Sequence, residues 1–175
     1  MFFSPISYVE PVFRPPSEHS SLIFQATIGC SWNRCAFCGM YSTKKFRVKD
    51  EEKLFKEIRK ASGYYKNVRK IFLADGNAFV LSADKLLRIL EEINKHFPRL
   101  QRVSAYALPK DIASKSAGEL KQIYNAGLKL LYIGIESGDD AVLKMVDKSE
   151  TYNTTVDGLI KADRKSTRLN SSHYS

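Results

Sequence analysis

Residues 128–138 read LKLLYIGIESG, and this stretch decides the fold class. Leu128 to Ile135 has the continuous apolar character of a strand covered on both faces. It closes on Glu136-Ser137-Gly138 and leads into a helix expected from Asp139 to about Val146. Working outward, the same strand-then-helix unit recurs upstream. Ser21 to Ile28 (SLIFQATI) is β-rich, and Asp50 to Gly63 follows with Leu54, Phe55 and Ile58 at helical spacing and Asp50 as N-cap. Lys70 to Ala74 (KIFLA) is a short strand running into Asp75-Gly76-Asn77. Ser82 then caps a helix through Phe97, with a stripe of Leu86, Leu87, Ile89, Leu90 and Ile93 that Pro98 stops. A strand from Gln101 to Ala107 passes through a turn at Pro109 to a helix from about Ser114 to Asn125, which Gly127 ends. Residues 153–162 begin one more helix.

Four βα units in series imply a parallel sheet with right-handed crossovers. Both an open doubly wound sheet and part of a βα barrel satisfy that pattern, and periodicity does not choose between them. In either, chemistry gathers at the C-terminal ends of the strands. Here those ends carry three cysteines, Asp75-Gly76-Asn77, Tyr106 with Pro109, and Glu136-Ser137-Gly138, which are expected to converge on one mouth. Residues 1–20 hold Pro5, Pro11, Pro15 and Pro16 and are expected as an extended arm, since proline fixes φ and removes a donor.

The bulk composition narrows the class. With 43% apolar and 11% aromatic residues in 175, the chain suits one globular domain. Neither a basic segment ahead of an apolar run nor a span of about 20 apolar residues occurs, so a soluble, cytoplasmic protein without a membrane is expected. Three cysteines within nine positions are the wrong arithmetic for a secreted disulfide framework, and point to metal. The net charge of +9 is spread along the chain except for Lys44-Lys45-Phe46-Arg47-Val48-Lys49, a solvated loop or an attractor of anionic substrate or nucleic acid.

Cys30-Ser-Trp-Asn-Arg-Cys35-Ala-Phe-Cys38 packs three thiolates into one short loop. Thiolates hold iron–sulfur clusters and structural zinc alike. Zinc normally closes with four protein ligands, and the nearest extra candidate is His19 on the arm. Three ligands on a four-iron cluster leave one iron open for chemistry. Trp32 inside the loop is expected to shield a cluster from water.

This loop, with Phe37 as the aromatic just before the last cysteine, resembles the radical S-adenosylmethionine (radical SAM) superfamily, and the resemblance covers about residues 21–150. The chain departs from the commonest family spacing by having four residues in the first gap, which requires the loop to bulge between Cys30 and Cys35. Residues 131–144 resemble the fourth-strand segment of methylthiotransferases and anaerobic coproporphyrinogen oxidase-like enzymes. The resemblance implies a partial (βα) barrel of about four units, C-terminally truncated. It also implies a 4Fe-4S cluster on Cys30, Cys35 and Cys38, whose open iron chelates S-adenosylmethionine (SAM), and reductive cleavage of SAM to methionine and a 5'-deoxyadenosyl radical. Asp75, Gly76 and Asn77 occupy the place of the segment that supports the methionine amino group, the alternative being a plain strand-to-loop turn, which these residue types favour. Glu136 is expected to have a fixed partner, because an unpaired carboxylate at a buried strand end is costly, and that partner is expected to be the ribose or amino group of the cofactor, with a structural ion pair as the alternative. Phe37 and Ser104 complete the cofactor-binding set, Tyr106 is expected to pack in the core, and no catalytic residue is assigned. The implied partners are an electron donor such as flavodoxin or ferredoxin and an organic substrate, with nucleic acid left open. The alternative is a zinc-stabilised nucleic-acid-binding module using Lys44, Lys45, Arg47 and Lys49.

Residues 163–173 (DRKSTRLNSSH) resemble translated sequencing adapter and show no apolar period. The expected organisation is therefore an arm over 1–20, a truncated core over 21–162 and a non-native tail over 163–175. A core cut short in this way is expected to expose the edge of its last strand.

Overall fold

The computed structural model describes residues 4–163 and 168–170; the remainder of the tail, with His173, lies outside the described residues. In chain order the elements are β1 (Leu22–Gln25), β2 (Thr27–Ile28), β3 (Arg47–Val48), α1 (Glu51–Tyr64), β4 (Lys70–Ala74), α2 (Ala83–His96), β5 (Arg102–Ala107), α3 (Pro109–Ala113), α4 (Ala117–Asn125), β6 (Leu128–Ile133), α5 (Asp140–Met145), α6 (Tyr152–Asp163) and β7 (Arg168–Asn170). Local chemistry sets the helix starts. Asp50 accepts from the Lys53 N–H and Ser82 from the Lys85 N–H, while Ser116 and Glu119 form a reciprocal capping box on α4. Gly127 ends the α4 segment at φ 113°, where a side chain would be strained.

β1, β4, β5, β6 and β7 lie side by side in that order, every pair parallel. Side chains alternate across the sheet. Ile71, Leu73, Val103, Ala105, Leu131 and Ile133 face one large core with Leu54 and Ile58 of α1, Leu86 and Leu90 of α2, and Leu120 and Ile123 of α4. Phe72, Ala74, Tyr106 and Tyr132 face the other way. Strands that follow one another without a reversal of order, and helices gathered on one face, are the winding of a βα barrel. A doubly wound sheet reverses its strand order and covers both faces with helices.

Three details differ from the sequence pattern. The strand expected over 21–28 breaks at Ala26, whose N–H still reaches the Ala74 carbonyl while its own carbonyl accepts from Lys49; the chain thereby leaves β4, and β2 pairs antiparallel with β3. The turn at Pro109 is the short helix α3, which tolerates proline in its first turn because the missing N–H has no helical acceptor. β6 stops at Ile133 because the backbone turns away, with Glu136 at φ 63°.

The proline-rich arm packs against the core. The Tyr8 hydroxyl donates to the Ile23 carbonyl at 2.8 Å, the Gln25 amide pairs with Val9 N–H and C=O at 2.8 and 3.0 Å, and Val12 packs on the Phe72 and Tyr132 cluster. Glu18 is fully buried, accepting from Arg102 Nη2 at 2.6 Å, from the Tyr132 hydroxyl at 2.8 Å and from the Ser21 hydroxyl. The arm thus occupies part of the face that helices leave uncovered.

Burial pushes the Glu18 carboxyl up, but hydrogen bonds from Ser21, Tyr132 and Arg102, with the Arg102 charge, outweigh it and hold the group below its ordinary 4.5. A depressed folded value means the contribution is complete above the unfolded value and is lost as pH falls through the folded one. The wild-type denaturant midpoint is therefore expected to drop on acidification below 4.5, and Glu18→Gln to flatten that part of the pH profile.

β7 comes from the segment that resembles adapter, and its register with β6 sets Arg168 beside Leu130 and Asn170 beside Tyr132. The expected bare edge of β6 is thereby covered over these residues. A sheet edge is a main-chain template and accepts extended backbone of any sequence, which is why a segment without an apolar period lies there.

Candidate functional site

The expected convergence at one mouth takes the form of a cavity of about 150 Å³ at the C-terminal ends of the strands. The loop after β2 contributes Cys30, Cys35, Cys38, Trp32, Phe37 and Tyr41, and the turn after β4 contributes Gly76. The end of β5 adds Tyr106 to Leu108, and the end of β6 adds Tyr132, Gly134 and Glu136. Lys148, just past α5, closes one side.

The cysteine loop bulges where the sequence required it. Asn33, within the first gap, has φ 53°, a left-handed conformation that asparagine tolerates better than most residues. Its Nδ2 donates to the carbonyls of Tyr41 at 2.8 Å and Lys44 at 3.2 Å, so the extra residue is tied down. The other side of the loop is stitched to the turn after α5. Ala36 N–H donates to Val146 O at 2.9 Å, Trp32 Nε1 to Asp147 O at 2.5 Å, and Arg34 pairs with the Asp147 carboxylate at 3.4 Å. The Trp32 ring lies 5.1 Å from the Arg34 guanidinium and 5.0 Å from Lys110 Nζ, contacts that fix the indole over the loop.

Cys30 and Cys35 are half-buried and Cys38 is exposed. Burial raises the Cys35 thiol above its usual value; Lys148 opposes this, and Cys30 and Cys38 add to it, so the three sulfurs share one electrostatic environment. Among the described residues no three His, Cys, Asp or Glu side chains close around a single-ion point. His19 is exposed on the arm beside Pro16 O, and His96 pairs with Glu92 at 3.3 Å. The candidate ligands lining the cavity are the three thiols and the Glu136 carboxylate, and three thiols suit an iron–sulfur cluster that keeps one iron open to a small ligand.

The remaining expected site residues take different places. Gly76 lies in the cavity wall, and a Cβ there would sit 2.6 Å from the Tyr41 ring and 2.9 Å from Cys30 Cβ, so the close approach of Tyr41 and Cys30 requires glycine. Asp75 is outside the lining. It is fully buried, accepting from Gln25 Nε2 at 3.0 Å, the Gly29 N–H at 2.8 Å and Lys44 Nζ at 2.9 Å. It anchors the backbone one residue before Cys30. Asn77 is buried behind the loop, donating to Ser31 Oγ at 2.8 Å and Asp111 Oδ2 at 2.5 Å, with its Oδ1 unpartnered among the described residues. Ser104 is buried deeper in the sheet with its hydroxyl on Ile71 O at 3.3 Å. Phe37 is 54% exposed at the cavity rim. Tyr106 packs edge-on to Phe72 at 5.2 Å and also lines the cavity. Glu136 faces the cavity and pairs with Lys148 at 3.2 Å.

Lysines are what sequence reasoning missed. Lys44 belongs to the basic cluster assigned to a solvated loop or to nucleic acid, yet it is buried between Asp75 and the Pro11 carbonyl, 2.5 Å away. Lys49 is engaged by Glu57 at 2.6 Å. Two of the four cations of that cluster are thus neutralised within the fold. Lys148 carried no signal at all, since its partners are brought to it by the sheet.

Comparison with known proteins decides the family. A family model described as the radical SAM superfamily matches residues 24–172. The chain belongs to the radical SAM superfamily. Solved radical SAM structures share its fold. OxsB, a cobalamin-dependent SAM radical enzyme solved with aqua-cobalamin and SAM bound, superposes with a TM-score of 0.70 at 20% identity, over 86% of this chain and 23% of that one. The radical SAM methyltransferase TsrM from Kitasatospora setae, solved with cobalamin and a [4Fe-4S] cluster, gives 0.65 at 15% identity, over 86% and 30%. Coproporphyrinogen III oxidase (HemN) from Escherichia coli gives 0.61 at 15% identity, over 86% and 36%. The chain thus spans less than a third of the length of OxsB and of TsrM. No curated protein sequence matches. No helix among the described residues is long and apolar enough to cross a membrane.

Proposed function

We propose that this chain is the cluster-binding part of a radical SAM enzyme, with Cys30, Cys35 and Cys38 as the ligands of a 4Fe-4S cluster and SAM as co-substrate. The observation that carries this reading is the cavity itself, where three thiols and the ends of β4, β5 and β6 line one wall-to-wall site in a family member. When bound and reduced, cluster and SAM together supply a 5'-deoxyadenosyl radical able to abstract hydrogen from an organic substrate. The protein's share is to bind, orient and keep water out. In this proposal the backbone at Gly76 flanks the methionine end of SAM, Glu136 takes the ribose or amino group, and Phe37 borders the adenosyl moiety at the rim. Trp32 and Tyr41 wall the site from solvent, and Asp75 and Asn77 hold the loop from behind rather than touching SAM.

An electron donor of the flavodoxin or ferredoxin class, a cytoplasmic setting and an oxidoreductase or transferase outcome belong to the same proposal. So does the division into an arm, a core over 21–162 and a tail of foreign sequence. Anaerobic reconstitution of the chain with iron and sulfide is expected to give brown protein that forms 5'-deoxyadenosine from SAM on reduction with dithionite. Colourless protein carrying stoichiometric zinc would overturn it.

A further inference from the structure

Lys148 stands at the cavity wall with its side chain largely enclosed. Its side chain is 6% exposed, and among the described residues its one hydrogen-bond acceptor is Glu136 Oε1 at 3.2 Å. An ammonium carries three donors, and enclosing its charge is favoured by negative groups around it. The nearby Asp147 carboxylate is paired with Arg34. What remains around Lys148 is the cavity it lines with the three cysteines, and the Phe37 ring, whose centroid is 6.0 Å from Nζ. The turn that carries Lys148 is the one fastened to the cysteine loop by Ala36 and Trp32, so the cation moves with that loop.

We propose that Lys148 is a positioning residue that holds Glu136 at the cavity wall and acts as the fixed counter-charge of the cysteine-bound cluster, setting its reduction potential. The inference rests on the cluster assignment above. Three thiolates outweigh the positive charge of the iron–sulfur core, and one-electron reduction adds a further negative charge. A fixed cation beside the site favours the more negative form, in a partly enclosed setting where screening by solvent is weak. Glu136 opposes it and shares the same cation. The two residues therefore act with opposite signs on one potential.

The test is a dye-mediated redox titration of the reconstituted chain without SAM, with dithionite as reductant and the reduced cluster followed by electron paramagnetic resonance. Lys148→Met is expected to shift the midpoint to more negative potential, Lys148→Arg to restore it towards wild type, and Glu136→Gln to shift it to more positive potential. Unchanged midpoints in Lys148→Met and Glu136→Gln at wild-type iron content overturn the inference and leave the cluster assignment standing. If Lys148→Met retains no iron, the sign of the Glu136→Gln shift decides, a negative or absent shift counting against the proposal. Wild-type protein that takes up no cluster removes both readings together.

Discussion

Cys35→Ser is expected to lose at least about 100-fold in iron retention, given that loss of a mere outer partner of a metal ligand typically costs roughly 10- to 100-fold. Cys35 is second of the three in sequence and half-buried, and its thiol feels those of Cys30 and Cys38. Its burial disfavours the free thiolate, which a bound cluster would stabilise. A serine in its place offers a hydroxyl far less acidic than a thiol and a harder ligand than iron–sulfur chemistry prefers. The fold should survive, because the loop borders the cavity and none of the three cysteines belongs to the buried core. Iron and sulfide assays on Cys30→Ser, Cys35→Ser and Cys38→Ser, with far-ultraviolet circular dichroism as control, test this. Iron content equal to wild type in all three would remove the assignment of ligands.

Asp75→Ala is expected to destabilise the protein by about 3–5 kcal/mol, the usual cost of breaking a buried ion pair by removing one partner. The pair with Lys44 is almost wholly enclosed, the two side chains being 0% and 3% exposed. Without the carboxylate, the Lys44 ammonium keeps the Pro11 carbonyl as its one hydrogen-bond acceptor among the described residues, beside the Tyr41 ring, and the Gly29 N–H and Gln25 Nε2 each lose an acceptor. That loss is a large share of the roughly 5–15 kcal/mol that holds a typical domain together. Lys44→Met should also destabilise, leaving the carboxylate buried with neutral donors alone. The double variant should lose less than the sum of the two, because neither charge is then left stranded. Urea midpoints for the four proteins measure this, and additive losses would show that the residues do not act as a pair. Because Gly29 adjoins Cys30, Asp75→Ala should also lower iron uptake, which a purely remote destabilisation would not do under strongly folding conditions.

Much of the molecule is written locally. The helix starts at Asp50, Ser82 and Ser116 each follow from one side chain meeting an N–H three residues on, and the stop at Gly127 from one backbone angle. Strand alternation, the three cysteines within nine positions and the strand-end motifs are likewise short-range patterns, so the βα units and the proposed ligand set could be read from the chain alone. The winding did not, since a barrel and a doubly wound sheet are made of the same units. It took the order of the strands and the placing of all large helices on one face to decide that.

The partners of the charged residues also had to wait for the tertiary structure. Lys44 looked like one of four equivalent surface cations until the parallel pairing of β1 with β4, and the path of the chain on through β2, brought its loop beside Asp75. Glu18 meets Arg102 and Tyr132 across 84 and 114 positions of sequence, and the turn holding Lys148 meets Trp32 across 115. A charge signals its type in the sequence but not its distance from another charge. Local sequence therefore determined the elements and the thiols, whereas sheet register and the path of the arm decided which ionic groups are buried, which are paired, and which one stands beside the cysteines.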